Sequence, residues 1–122
     1  MLIKNGMLFC DDGTFRILDL ETNGGQISAL GSVTGSEQQV LDATGCYVVP
    51  GLVDIHIHGA MGADFSDGET ASIQVMAQYL LSQGVTSFLG TSMALPGERL
   101  SHIFGTARPL VGQAIPGHST LR

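Results

Sequence analysis

The chain has 122 residues, 43% of them hydrophobic and only 13% charged. That composition excludes a disordered segment and suits one modest domain with a core of its own. Five basic residues against eleven acidic ones leave a net charge of −6, and without a Lys/Arg cluster this argues against nucleic acid or an anionic membrane as partner. A small phosphorylated ligand remains compatible, since it needs only one or two local cations or a few backbone N–H groups.

The amino terminus shows no basic stretch followed by an apolar one, and no apolar run approaches the roughly 20 residues that cross a bilayer. Cys10 and Cys46 are far apart in the chain and lack CxxC spacing. Reduced core thiols are therefore expected, not a disulfide or a metal site. A cytoplasmic location is the expectation.

Up to Pro50, short strand-like pieces alternate with turn signals. Strands are predicted over 1–4, 7–10, 15–20, 26–30, 39–41 and 46–49, punctuated by Asn5-Gly6, Asp11-Asp12-Gly13 and Asn23-Gly24-Gly25. Asn-Gly and Asp-Gly supply the positive φ of tight hairpins, so residues 1–50 read as a small antiparallel β unit of meandering hairpins.

After Gly51 the period changes. Residues 53–58, Val53-Asp54-Ile55-His56-Ile57-His58, alternate strictly and read as a strand. Val53, Ile55 and Ile57 would share one face, and Asp54, His56 and His58 the other. A Gly-rich loop, 59–64, follows. Ser66-x-x-Glu69 then reads as a capping box, with Asp67 an alternative cap. A helix over 69–83 carries Ile73, Met76, Ala77 and Leu80 on one face, and Gly84 stops it. Residues 85–91 form a second strand. Pro96 opens a second helix with the stripe Leu100, Ile103, Phe104 and Ala107, which Pro109 ends or kinks. The remainder is a loop with the start of a strand at Leu121.

The order β-loop-α-β-loop-α argues parallel strands with helices packed outside. A closed (β/α)8 barrel takes roughly 250 residues, and 51–122 hold only two β-α units. The expected fold is thus α/β, the N-terminal part of a barrel preceded by a small antiparallel β-sandwich segment, with domains at 1–50 and 51–122. A complete small α/β domain is the plainer alternative.

His56 and His58 are the most informative residues. One histidine on an apolar strand is usually a satisfied core residue. Two at i and i+2, about 7 Å apart along one face of a strand end, can bite a single cation. Burying both without partners would cost a few kcal/mol apiece. Asp54 shares their face one pleat deeper, where a carboxylate can orient a ligand imidazole. Gly59, Ala60, Met61 and Gly62 leave the strand on the same side and are candidates to approach a substrate, or form a merely flexible connection. Thr91 and Ser92 are expected to cap the next turn, His102 and His118 to be solvated, and Met61, Met76 and Met93 to be packing residues.

The run from Asp42 to His58, ending Val48-Val49-Pro50-Gly51-Leu52-Val53-Asp54-Ile55-His56-Ile57-His58, resembles the entry into the metal-dependent amidohydrolase superfamily. There, a short β segment leads into a first barrel strand with a His-x-His pair. Within that superfamily, His58-Gly59-Ala60-Met61-Gly62-Ala63-Asp64-Phe65-Ser66-Asp67 and Gln83-Gly84-Val85-Thr86-Ser87-Phe88-Leu89-Gly90-Thr91 look like the N-acetylglucosamine-6-phosphate deacetylases. The resemblance covers essentially the whole chain.

It implies hydrolysis of the acetamide of N-acetylglucosamine 6-phosphate to glucosamine 6-phosphate and acetate, in amino-sugar catabolism. It also implies a divalent metal, zinc foremost and one or two ions, with His56 and His58 among the ligands. The ion would polarise the amide carbonyl and activate water, and a carboxylate would move the proton to the leaving amine. That carboxylate and the remaining ligands match strands beyond the second, past Arg122, so no catalytic residue is assigned here. These 122 residues alone are expected neither to hold metal tightly nor to turn over substrate, because a stable site needs three or four ligands. A homo-oligomer is implied for the full-length protein. Two alternatives stand beside this reading: another amidohydrolase of the dihydroorotase or adenine-deaminase type, and a non-catalytic fragment, metal-binding or interaction module.

Overall fold

The computed structural model describes residues 1–33 and 39–122. The chain divides into two compact units, Met1–Pro50 and Gly51–Arg122.

The first unit is one five-stranded sheet. Its strands are β1 (Leu2–Phe9), β2 (Phe15–Asn23), β3 (Gln26–Gly31), β4 (Val40–Asp42) and β5 (Tyr47–Val48). The first three form the expected meander, with β1–β2 and β2–β3 antiparallel. Two expectations are corrected. Asn5-Gly6 is not a hairpin: β1 runs straight through it, with a bulge between Ile3 and Gly6. Asn5 takes φ +61; its N–H is accepted by Asp19 and its side-chain amide by Asp42, so two carboxylates stabilise a conformation that would otherwise turn the chain. Nor is the unit purely antiparallel, because β4 and β5 both run parallel to β1 along the same edge. Leu2, Leu8 and Ala43 are its buried apolar residues. Cys10 and Cys46 are free thiols as expected, but Cys10 is half-buried and Cys46 exposed, so neither is a core thiol.

The second unit is a three-stranded parallel sheet with helices between the strands. Its elements are β6 (Leu52–Ile57), a two-residue pair β7 (Gly59–Ala60) and β8 (Ala63–Asp64), α1 (Thr70–Ser82), β9 (Val85–Gly90), α2 (Gly97–Ala107) and β10 (Thr120–Leu121). The sheet order is β10-β9-β6. β9 is parallel to both neighbours, as the β-α-β order requires. α1 buries the expected face, Ile73, Met76, Ala77 and Leu80, against Phe88 of β9, Ile103 and Ala107 of α2, and Leu121 of β10. Each of the large side chains so buried, Ile73, Met76, Leu80, Phe88, Ile103 and Leu121, contributes roughly 1.5–3 kcal/mol. Phe104, expected in the α2 stripe, is half exposed and reaches sideways to the Phe65 ring, 6.4 Å between centroids. Among the methionines singled out, only Met76 packs in the core, while Met61 and Met93 are exposed.

No helix among the described residues is long and apolar enough to cross a membrane.

Candidate metal centre

The histidines sit where β6 ends. The strict alternation expected for this strand is broken by a register shift between Asp54 and Ile57. The cause is local: the Asp54 carboxylate accepts the backbone N–H of His56 at 3.0 Å, as Asp side chains do when they compete with a ladder. Asp54 therefore acts on the backbone beneath His56. Beyond the shift, Ile57 packs on the core while Val53 and Ile55 stay exposed.

Both imidazoles nonetheless lie together. The His56 and His58 ring centroids are 5.0 Å apart at 84°. His56 is exposed and His58 half-buried. The Nδ1 of His58 lies 2.8 Å from the Thr91 carbonyl oxygen at the end of β9. A carbonyl only accepts, so Nδ1 carries the proton and Nε2 presents its lone pair. The second strand locks this arrangement, because the Thr91 N–H donates to the Ile57 carbonyl at 2.9 Å. Fixing one ring nitrogen by a carbonyl is how metal-binding histidines are usually oriented. Sequence reasoning placed Thr91 as a cap for the following turn; its backbone instead braces His58, and no side-chain pattern could have announced a carbonyl contact.

The segment after His58, expected as an unpaired Gly-rich loop, is a paired hairpin. β7 and β8 pair as a miniature antiparallel hairpin, with Met61 and Gly62 at φ +55 and +79 across its tip. Positive φ at both central residues is the type I′ geometry that suits strand twist. Glycine adopts it freely, whereas Met61 does so under strain while 71% exposed. The Phe65 N–H returns to the His58 carbonyl at 2.7 Å and closes the hairpin's base.

A capping box does follow, but not at Ser66 and Glu69. Asp64 caps a short 3-10 turn, Phe65–Asp67, accepting from the Ser66 N–H, and Asp67 reciprocates by accepting the Asp64 N–H. Asp67 also receives the Ser72 hydroxyl at 2.7 Å. The Asp64 N–H first, then that hydroxyl, hold the Asp67 carboxyl below the ordinary carboxylate value. Glu69 precedes α1 without a side-chain cap bond. The Ser66 hydroxyl accepts the Met93 N–H, tying the loop after β9 to the turn after β6. His102 is exposed as expected, whereas His118 is half-buried, its Nδ1 3.0 Å from the Pro116 carbonyl.

Among the described residues no group of three or more His, Cys, Asp or Glu is placed to hold a metal ion. The donor set fits two positions of a zinc or similar site, one of them with its tautomer fixed, and supplies no third.

A mixed α/β fold with this histidine pair has clear relatives. No family model matches the chain. Over 111 residues it is 28% identical to the N-acetylglucosamine-6-phosphate deacetylase of Bacillus subtilis, spanning 88% of this chain and 28% of that protein. Over a shorter stretch of 58 residues, 48% of this chain and 13% of the relative, it is 43% identical to an allantoinase of Salmonella paratyphi B. Among solved structures, the deacetylase of Thermotoga maritima matches 89% of this chain and 27% of its own at 31% identity and a TM-score of 0.70. That of Pasteurella multocida, 23% identical, shares the fold over 94% of this chain and 31% of its own, with a TM-score of 0.84. The chain's homologues and structural neighbours thus include N-acetylglucosamine-6-phosphate deacetylases, of which it spans somewhat more than a quarter of the length.

Proposed function

We propose that this chain is the entry segment of a metal-dependent hydrolase that removes the acetyl group from N-acetylglucosamine 6-phosphate, yielding glucosamine 6-phosphate and acetate. The observation that carries it is the pair of adjacent imidazoles at the end of the first strand of a parallel β/α layer, one with its tautomer set by a backbone carbonyl. In this reading the sheet β6-β9-β10 opens a (β/α)8 barrel, and residues 1–50 belong to a composite β-sandwich. His56 and His58 would hold a divalent ion, zinc foremost by resemblance to the metal-dependent hydrolases. The chemistry such an ion would supply is polarisation of the amide carbonyl and activation of water.

The chain's own contribution is to position. The Thr91 carbonyl keeps the His58 Nε2 free and aimed, and Asp54 shapes the strand under His56. The hairpin of Gly59, Ala60, Met61 and Gly62 rises from the histidines' end of the sheet and borders the substrate. The remaining ligands and the proton-transferring carboxylate come from polypeptide outside these residues. The protein acts in the cytoplasm as a homo-oligomer.

The higher identity to an allantoinase, over the shorter stretch of 58 residues, supports a second reading, hydrolysis of a cyclic amide such as allantoin. The test is acetate release from N-acetylglucosamine 6-phosphate by the full-length protein, with metal content measured alongside, for the parent and for the His56→Ala, His58→Ala pair. Parallel loss of metal and acetate release is expected. Turnover of allantoin without acetate release selects the second reading, and full activity of the double variant overturns both.

A further inference from the structure

We propose that Ser66 is a positioning residue for His58: by holding the Met93 N–H, its hydroxyl fixes the Thr91 carbonyl that orients the imidazole. Ser66 acts through the backbone of the loop after β9, not on the ring.

The observation is a closed circuit of hydrogen bonds that begins and ends at His58. The His58 Nδ1 lies 2.8 Å from the Thr91 carbonyl oxygen. Two residues on, the Met93 N–H donates to Ser66 Oγ at 2.9 Å. Beside Ser66, the Phe65 N–H donates to the His58 carbonyl at 2.7 Å. The Thr91 carbonyl belongs to the peptide unit joining Thr91 to Ser92, and that unit is held from both sides. Before it, the Thr91 N–H is anchored on the Ile57 carbonyl at 2.9 Å; after it, the Met93 N–H is anchored on Ser66. β9 ends at Gly90 and α2 starts at Gly97, so residues 91–96 lie outside both elements. Their main-chain groups need partners from elsewhere, and a serine hydroxyl is one such partner. With that second anchor cut, the 91–92 peptide is free to rotate and carry its carbonyl away from the ring.

Ser66 is itself a fixed post. Its N–H donates to the Asp64 carboxylate at 2.7 Å, and its carbonyl accepts from the Arg99 guanidinium of α2 at 3.4 Å. Its neighbour Phe65 is buried with its ring over Gly90, the residue before Thr91. That packing does not depend on the hydroxyl, so Ser66→Ala should keep the fold and lose only the anchor.

The orientation of the ring stands on these bonds alone; its consequence for metal rests on the reading of His58 as a ligand. Nitrogen-15 spectra of the metal-free full-length protein, with its imidazoles neutral, test the first, and zinc affinity tests the second. The Nδ1–H form of His58 should predominate in the parent and in Ser66→Thr, which keeps a hydroxyl, and lose that predominance in Ser66→Ala. Zinc affinity should fall about tenfold or more in Ser66→Ala, as when a ligand histidine loses its outer partner, and return in Ser66→Thr. An alanine variant with the parent's tautomer and zinc affinity overturns the proposal. So does a threonine variant as impaired as the alanine one, because the loss is then not of the hydroxyl. If the parent holds no zinc, the hydrolase reading fails and the tautomer alone decides the role of Ser66. Should Ser66→Ala fail to fold, amide hydrogen exchange in the parent decides. A Met93 N–H protected as well as that of Thr91 supports the anchor, and exchange at the rate of an open loop overturns it.

Discussion

The Nδ1 of His58 and the carbonyl oxygen of Thr91 lie 2.8 Å apart, joining the end of the first strand of the parallel sheet to the end of the second. The contact dictates the Nδ1–H tautomer. Nitrogen-15 spectra of the neutral protein should therefore show His58 with a protonated Nδ1 and an unprotonated Nε2. Replacing the ring, His58→Ala, should cost the full-length protein more than about 100-fold in metal affinity, beyond the 10–100-fold typical of losing an outer partner. Unchanged metal affinity would remove His58 from the site.

Gly90, the last residue of β9, lies under the ring of Phe65, and a Cβ at that position would run into the ring. Phe65 is 3% exposed. Gly90→Ala is expected to destabilise by about 1–3 kcal/mol, the range for overpacking a closed core. Urea denaturation measures this directly, and an unchanged midpoint would mean that the ring has room to move.

Met61 holds φ +55 at the tip of the β7–β8 hairpin with its side chain in solvent. Met61→Asn keeps the turn and installs Asn-Gly, the pair that type I′ geometry favours. The expected result is a gain of about 0.5–1 kcal/mol, the scale of relieved backbone strain. If the same variant raises KM for substrate in the full-length protein, the methionine is retained for binding and not for folding.

Asp67 accepts the Asp64 N–H and the Ser72 hydroxyl, which places its folded pKa below the ordinary 3.8. The sign follows from linkage. Stabilisation by these bonds is complete above the unfolded value and disappears as pH falls through the lower folded value. Asp67→Asn should therefore melt below the parent by a constant margin near neutrality, and the margin should close below about pH 4. A gap that persists at low pH would show that the loss is not of charge.

Much of the second unit was legible because its signals are short-range. The face Ile73, Met76, Ala77 and Leu80, the stop at Gly84 and the run 85–91 follow from period and local conformation, and all appear in the fold. The first unit was less legible. Asn5-Gly6 carries a hairpin signal that Asp19 and Asp42 override from distant positions. The parallel return of β4 and β5 depends on a crossover that no local pattern encodes. The capping box was misplaced for a related reason, since Ser66-x-x-Glu69 and Asp64-x-x-Asp67 both suit helix starts. What separates them is that Ser66 is committed to the Met93 N–H.

By itself the order of residues determined the two imidazoles, their i, i+2 spacing and the amphipathic helices that bury β9, because alternation and helical period depend only on neighbouring residues. Tertiary structure alone decided which ring nitrogen of His58 stays free and how the Gly-rich segment is ordered. It also decided that Asp54 accepts the backbone N–H of His56. Each of these rests on a hydrogen bond whose donor or acceptor is a main-chain group, and every residue type carries those alike.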